Sequence, residues 1–303
     1  MGVNRAVYQS AWNEKERPVK KIGFIDYYLD EWHAENYPTM IRESSFRDQF
    51  DVVLAWEETT PEGKIGIDEW CRQQRVEKAS SIQEVVDECD FIIVLSPDNA
   101  ERHEDLADLP LRSGKPVYID KPIAPSLAAA QRIYEKARQH GTPLMSCSAL
   151  RFGSELEQAR KTIGSKPVHY VATRGMGRYE TYAIHQLEML VMLAGTGAVR
   201  SRQSGNSAAT CLTYDYPDDR RSSFTQIPEH PIQISAAYGD GECAVIDAMD
   251  DFFPRFIEAM LSFFATGESA APQAETLEIA ALIEAGAAAL RAPDTWVDVP
   301  KRL

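Results

Sequence analysis

The chain has 303 residues, which is too long for one small core and typical of two domains of roughly 100 to 200 residues each. Its composition, with 44% hydrophobic and 26% charged residues, is typical of a globular protein. This composition excludes disordered, collagen-like and disulfide-scaffold proteins. The net charge of −14 would repel a nucleic-acid backbone, which binds clustered cations, so we expect no nucleic-acid partner.

The first 19 residues are interpreted as an N-terminal extension, and they lack the apolar run of a signal peptide. No later stretch reaches the ~18 apolar residues of a membrane span, so we expect a cytoplasmic protein with no membrane partner. The five cysteines are odd in number and contain no CxxC pair, which predicts reduced, buried thiols.

Residues 20–122 alternate short apolar runs with helical stretches, which is typical of βαβ units and a parallel sheet. The predicted strands are 21–26, 51–56, 91–95 and 116–120, and the predicted helices are 32–46, 66–76, 80–90 and 103–114. Ser81 is predicted to cap its helix, with Glu84 completing a capping box. We expect a Rossmann-type, doubly wound parallel sheet.

Residues 123–303 have a different texture and are predicted to form a C-terminal α/β domain with a largely antiparallel open sheet. Helices are predicted at 126–141, capped by Ser126 and ended by Gly141, and at 154–163, 252–267 and 275–292. Strands are predicted at 143–152, 169–175, 208–216, 222–227, 232–238, 242–248 and 296–299. Too few helices follow to cover both sheet faces, so we expect an exposed apolar face and a homodimer or homotetramer.

The loop after the first strand lies where a dinucleotide site would need G-x-G-x-x-G. Asp26, Tyr28 and Glu31 take the three glycine positions, with Tyr27 between the first two. A carboxylate ~4 Å from a phosphate charge costs about 4 kcal/mol at a dielectric near 20, which exceeds the roughly 0.3 to 1 kcal/mol from a helix N-terminus. Either this is simply a polar loop, or a cofactor is bound in another way.

Other polar residues follow the next strands at the same edge of the sheet, where ligands gather. Glu57 could accept hydrogen bonds from a ribose diol, or could be solvated surface. The loop after the third strand carries Ser96, Pro97 and Asn99 as cofactor candidates, whereas His103 alone is expected to be a surface residue.

Lys121 is the strongest single catalytic candidate, because Pro122 restricts its backbone directly after a buried strand. Desolvation there would suit proton transfer, although a solvated lysine is the simpler alternative. His185 and Glu188 lie three apart on a predicted helix and share a face. No further ligand stands at metal-binding spacing, so we expect no metal, and a buried, hydrogen-bonded histidine is the alternative interpretation.

From about Lys21 to Val299, these features resemble the glucose–fructose oxidoreductase, inositol dehydrogenase and rhizopine catabolism (Gfo/Idh/MocA) family. The resemblance is carried by KIGFID, DECDFIIVLSPD, the stretch GKPVYIDKP through RF, and HQLEMLVMLAG. Asp120-Lys121-Pro122 replaces the family's Glu-Lys-Pro, and Glu188 replaces an aspartate. Thr181 stands where the family has an aspartate four residues before the histidine.

The resemblance implies NAD or NADP as cofactor, with Lys121 contacting the reacting hydroxyl and His185 transferring its proton, beside Thr181. It places Arg151, Tyr182 and Glu188 near the substrate, and Asp120 with Lys121 near the cofactor. We therefore expect an oxidoreductase that transfers hydride between a sugar or polyol derivative and a nicotinamide. The missing glycines leave open a non-redox alternative on the same scaffold, namely a carbohydrate-binding protein or a lyase or hydrolase.

Overall fold

The computed structural model describes residues 19–206 and 208–301, so all but the last residue of the predicted N-terminal extension lies outside the described residues. The first half contains, in chain order, β1 (Lys20–Asp26), α1 (Trp32–Glu43), β2 (Phe50–Glu57), α2 (Ile67–Gln74), β3 (Glu77–Lys78), α3 (Ile82–Glu88), β4 (Phe91–Val94), α4 (His103–Leu106), α5 (Asp108–Arg112), β5 (Val117–Ile119), α6 (Leu127–His140) and β6 (Leu144–Met145).

The first sheet is parallel and has the strand order β3-β2-β1-β4-β5-β6 in the described part of the chain. This is the order of a doubly wound dinucleotide-binding sheet. All four residues of β4 are buried, as expected of an internal strand covered on both faces. Gly23 in β1 lets α3 pack closely, because a Cβ there would lie 2.4 Å from Val85 Cγ1. The predicted Rossmann-type sheet is confirmed.

Several local predictions in this half need correction. The segment 143–152 forms only the short strand β6, followed by a 3₁₀ turn over Ala149–Phe152, and β6 extends the first sheet past residue 122. The two-residue strand β3 was not predicted from the sequence. Ser81 Oγ accepts from the Glu84 N–H at 3.1 Å, but the Glu84 carboxylate accepts from Ser80 and not from the cap residue. The capping box is therefore displaced by one residue.

The second half contains α7 (Ser154–Ile163), β7 (Val168–Gly175), α8 (Tyr179–Ala194), β8 (Arg200–Gln203), β9 (Thr210–Asp215), β10 (Arg221–Gln226), β11 (Gln233–Tyr238), β12 (Glu242–Ile246), α9 (Phe252–Thr266), α10 (Gln273–Arg291) and β13 (Trp296–Asp298). These strands form a sheet of order β12-β11-β7-β10-β9-β8-β13. Only β7 and β10 pair in parallel, so the largely antiparallel sheet is confirmed. The polar strand β8 was missed.

One face of this second sheet packs against α8 and α10, and the other face is uncovered by the described residues. A row in register across the uncovered face reads Val245, Ser235, Ala172, Ser223, Thr213, Arg202 and Trp296. The expectation of an apolar face was wrong, because the centre of this row consists of short, mostly polar side chains. Such a face is flat enough for a second sheet to pack against it.

We predict that light scattering at micromolar concentration will give at least twice the 33.9 kDa monomer mass. Ser223→Arg should lower that mass, because a long charged side chain at the centre of the row would hold two sheets apart. Ser165→Arg, at an exposed position outside the sheet, is the matched control. A monomer mass for the unaltered chain would contradict the prediction.

The helix α9 lies late in the chain but packs into the core of the first sheet. Phe256 contacts Tyr37 and Tyr118 with ring centroids 5.7 and 5.4 Å apart, and Phe264 stacks on Phe91 at 4.9 Å. The C-terminal half therefore completes the N-terminal core.

Two further expectations concern the cysteines, which were predicted to be buried, and the helices, none of which was expected to span a membrane. Cys71, Cys89 and Cys147 are buried free thiols, whereas Cys243 is exposed, so the expectation of buried thiols was wrong for that residue. None of the helices within 19–206 and 208–301 combines the length and the hydropathy needed to cross a lipid bilayer.

Candidate active site

A cleft of about 490 Å³ opens at the carboxyl edge of the first sheet, between that sheet and α8. Of the residues predicted from the sequence, it brings together Tyr28, Pro97, Lys121, Thr181, Tyr182 and His185. The carboxyl ends of the strands and the start of α1 converge there, which is where this fold places ligands.

Lys121 lines the cleft from the end of β5 and is held by a buried carboxylate. Its Nζ lies 3.6 Å from Asp120 Oδ2, and the side chain of Asp120 is only 1% exposed. Burial by itself would raise the pKa of Asp120, but the charges of Lys121 and His33 lower it below its usual value. Asp120 is therefore a fixed anion that positions Lys121, and it is not among the residues lining the cleft.

His185 faces the cleft from α8, and its Nδ1 lies 2.8 Å from Ser148 Oγ. Burial and the neighbouring charges of Lys121 and His33 lower the pKa of His185 to about 3. The imidazole is therefore neutral at physiological pH. When Ser148 accepts the Nδ1 proton, Nε2 is the unprotonated nitrogen and can act as a base.

The loop between β1 and α1 is organised by its own carboxylates. Glu31 is the N-cap of α1, and its Oε2 accepts from the His33 N–H at 2.8 Å while its Oε1 accepts from the Ala34 N–H at 2.5 Å. Asp26 is 1% exposed. Burial, followed by the charge of Glu31, raises the pKa of Asp26 well above its usual value. Both acids occupy glycine positions of the expected motif.

Other predicted cofactor residues serve the protein itself. Glu57 accepts from the N–H groups of Leu29 and Ile67, both at 3.0 Å, and so ties the loop to the start of α2. Ser96 is buried and donates to the Asn99 carbonyl at 3.2 Å. The remaining candidates outside the lining of the cleft are Tyr27, whose ring contacts Tyr28, and Asn99, which bonds Glu101.

Arg151 and Glu188 were predicted to lie near the substrate, but neither side chain lines the cleft. Arg151 Nε donates to Glu188 Oε1 at 2.5 Å, and Arg151 Nη2 lies 2.6 Å from Glu275 Oε2. The side chains of Arg151 and Glu188 are 3% and 1% exposed. Both belong to a buried ion network behind the cleft. Because they are removed from water, each charge is best stabilised by an opposite charge close to it.

His103 was expected at the surface and is fully buried. Its Nδ1 lies 3.0 Å from the Pro122 carbonyl oxygen, and its Nε2 lies 2.7 Å from that of Leu95. Burial lowers its pKa, although these carbonyl contacts and Asp120 act in the opposite direction. It joins the segments that follow β4 and β5, one of which contains Lys121.

Among the residues of the cleft that sequence reasoning missed are Trp32, His33, Ser148 and Phe253. The first two offered a signal, since they follow Glu31 in the loop where the glycine motif was sought. His33 Nδ1 lies 2.8 Å from Glu31, and His33 Nε2 lies 4.0 Å from Asp120. Ser148 and Phe253 gave none, because only the tertiary fold brings their segments to the cleft.

Comparison with known proteins agrees with this architecture. Residues 36–147 match the family model of the Gfo/Idh/MocA proteins, which is described as an oxidoreductase family with an NAD-binding Rossmann fold. This part of the Rossmann domain is thus similar to the Gfo/Idh/MocA oxidoreductase family. The resemblance inferred from the sequence is thereby confirmed, and the matched region begins after the β1–α1 loop.

Sequence relatives match only parts of this chain. The uncharacterised oxidoreductase YhhX of Escherichia coli is 31% identical over 28% of this chain and 25% of its own length. The uncharacterised protein y4oX of Sinorhizobium fredii is 27% identical over 36% of this chain and 35% of its own length. The chain thus spans about a quarter to a third of these curated relatives.

Solved structures match nearly the whole fold. GenD2 of gentamicin A biosynthesis, solved with NAD, has a TM-score of 0.76 at 12% identity and covers 99% of this chain and 100% of its own. Scyllo-inositol dehydrogenase from Lactobacillus casei, solved with NAD(H) and scyllo-inositol, has a TM-score of 0.75 at 13% identity and covers 93% and 99%. These likenesses establish that both halves share the fold of such dehydrogenases.

The residues of the cleft and of the β1–α1 loop fit one part of a nicotinamide dinucleotide and not another. The cleft beside Lys121 and His185 offers space and polar groups to a nicotinamide and a substrate. The start of α1, where the fold places the diphosphate, already holds the Glu31 carboxylate. A diphosphate does not fit there while Glu31 keeps this position.

Proposed function

We propose that this chain is an oxidoreductase that transfers hydride between a hydroxyl-bearing carbon of a sugar or polyol derivative and NAD or NADP. The proposal depends on one observation above all, namely the convergence of Lys121 and a neutral His185 in one cleft. Oxidation of an alcohol needs a base for the hydroxyl proton and a cation near the oxygen, and this pair provides both.

The protein's own groups divide the work on the hydroxyl. His185 Nε2 accepts the proton, while Ser148 holds the opposite nitrogen of the ring. The Lys121 ammonium group donates to the same hydroxyl oxygen and stabilises the negative charge that develops as the proton leaves. The nicotinamide ring, when bound, supplies the hydride acceptor. Because Asp120 fixes Lys121, the cation needs little rearrangement during the reaction.

An aromatic wall in the cleft supports a sugar or polyol substrate. Trp32 is 44% exposed and packs on Phe253 with centroids 4.5 Å apart, while Tyr182 is 40% exposed beside His185. Exposed rings with a polar edge suit a ligand that has apolar C–H faces and hydroxyl rims. The similarity in fold to a scyllo-inositol dehydrogenase also supports this substrate class.

The test is a panel of inositols, aldoses and sugar acids assayed with NAD and NADP by nicotinamide absorbance. With the best substrate, we predict that Trp32→Ala raises KM about tenfold, equivalent to about 1.4 kcal/mol of lost stacking, and leaves kcat within a fewfold. Leu109→Ala, at an exposed position on α5 outside the cleft, is the control. An unchanged KM would contradict the role of Trp32, and a panel without turnover would contradict the redox proposal.

A second candidate is a lyase or hydrolase acting on the same carbohydrate class without redox chemistry. The observation that favours it is Glu31 at the diphosphate position. Lys121 and His185 would then transfer protons only. Turnover of the carbohydrate panel without added nicotinamide nucleotide distinguishes the two candidates, since only a lyase or hydrolase would convert a substrate in the absence of NAD or NADP.

We also propose a cytoplasmic homo-oligomer. The reduced cysteines of the described residues support the location, and the flat uncovered sheet face supports self-association.

A further inference from the structure

We propose that Glu31 is an internal competitor of the cofactor, whose carboxylate holds the place that this fold gives to the diphosphate of a dinucleotide. The inference rests on the proposed function, because a competitor acts only where a dinucleotide binds. It predicts weak binding of NAD and NADP by the unaltered chain, and tighter binding once the Glu31 charge is removed.

The contacts of Glu31 are those that a bound anion would make. The His33 and Ala34 N–H groups lie in the first turn of a 12-residue helix, and each donates to one Glu31 oxygen. Helix N-termini bind anions through these free N–H groups and the partial positive charge of the helix dipole. His33 Nδ1 adds a third contact at 2.8 Å. Glu31 is only 8% exposed, so the site is occupied and enclosed by the protein itself.

A second acid, Asp26, lies close to Glu31, whose charge adds to burial in raising the pKa of Asp26. Asp26 Oδ2 is buried and, among the residues that the structure describes, has no hydrogen-bond partner. Asp26 Oδ1 accepts from the Tyr28 N–H at 3.3 Å, which uses a loop donor that a phosphate would otherwise take. A diphosphate would therefore meet two carboxyl groups in place of two glycines.

The loop is also tied down from outside. Leu29 N–H donates to Glu57 Oε2, and the Glu31 N–H donates to the Leu29 carbonyl at 2.8 Å. Lys64 Nζ donates to the Asp30 carbonyl at 2.7 Å. With these bonds formed, the backbone cannot simply move away from a ligand, so displacement of the Glu31 side chain is the step that makes room.

The experiment is calorimetric titration of NAD, NADP and ADP into the unaltered chain, Glu31→Ser and Glu31→Gln. Serine keeps a good helix cap without the charge, and glutamine keeps the size of the side chain. We expect both variants to bind NAD and ADP at least tenfold more tightly than the unaltered chain. ADP should show the same gain, because it shares the diphosphate and lacks the nicotinamide.

Glu35→Gln is the matched control. Glu35 is exposed and also lies in the first turn of α1, so its loss changes the net charge equally but leaves the Glu31 carboxylate and its N–H partners in place. It should change dinucleotide affinity by less than threefold. Thermal unfolding of all three variants establishes that each is folded before titration.

The outcomes separate this inference from the proposed function. If the unaltered chain binds NAD as tightly as the Glu31 variants, Glu31 is no competitor, and the oxidoreductase proposal stands. An equal gain from Glu35→Gln would also overturn the inference, since general charge would explain it. If no form binds NAD, NADP or ADP, both the inference and the redox proposal are overturned.

Discussion

Lys121→Met is expected to lower turnover by about 10²-fold or more, because it removes the cation that contacts the reacting hydroxyl. His185→Ala should cause a loss of similar size through removal of the base. Since the two side chains act on one oxygen, the double variant should lose much less than the product of the single losses. Steady-state kinetics with the best substrate from the panel measures all three.

The pKa of His185 gives this prediction a second readout. The charge of Lys121 is one of the causes that lower this pKa to about 3, so Lys121→Met should raise it, and histidine NMR resonances would report the change. In the unaltered enzyme the base then stays unprotonated from neutral pH down to about one unit above that pKa. In contrast, Lys161→Met, at an exposed position on α7, should change neither rate nor pKa. Near-normal turnover of folded Lys121→Met would exclude the catalytic assignment.

The second large effect concerns stability. Glu188→Ala should lower the free energy of unfolding by about 3 to 5 kcal/mol, because it leaves the Arg151 guanidinium buried with one of its two carboxylate partners. It also removes the acceptor of the Ser148 N–H, which lies 3.0 Å from Glu188 Oε2. Denaturant unfolding measures the change.

Glu62→Ala is the control for this variant, since Glu62 is exposed and such substitutions change stability by within about 0.5 kcal/mol. Arg151→Leu combined with Glu188→Leu should be less destabilising than the sum of the single changes, because the pair is removed together. A loss below about 1 kcal/mol for Glu188→Ala would show that the buried network contributes little.

Much of the scaffold could be predicted because its signals are local. The caps of α6, Ser126 and Gly141, are visible in the sequence, and the apolar run of β4 indicates a strand buried on both faces. Lys121 could also be selected, since its position before Pro122 at a strand end is a local feature. The strands β3 and β8 were not predicted because they are short and polar and show no alternation of apolar and polar residues.

The site was less predictable because its chemistry depends on pairing across the fold. Arg151, Glu188 and Glu275 are distant in sequence, and only tertiary packing shows that their charges neutralise one another rather than facing substrate. The loop around His103 likewise has the composition of a protein surface, and His103 is buried against carbonyl groups of the segments that follow two neighbouring strands. The loop 26–31 could be recognised as abnormal, but the inward turn of the Glu31 carboxylate could not.

The position of α9 has a consequence for how the protein is made on the ribosome. Domains generally fold in the order in which they are synthesised, yet the aromatic core around Tyr37, Phe91 and Tyr118 lacks Phe256 and Phe264 until nearly the whole chain has emerged. Contacts between residues so far apart in sequence slow folding. The nascent N-terminal half therefore exposes an apolar surface during most of translation, and chaperones are expected to bind ribosome-bound chains that end before residue 252 more strongly than those that include α9.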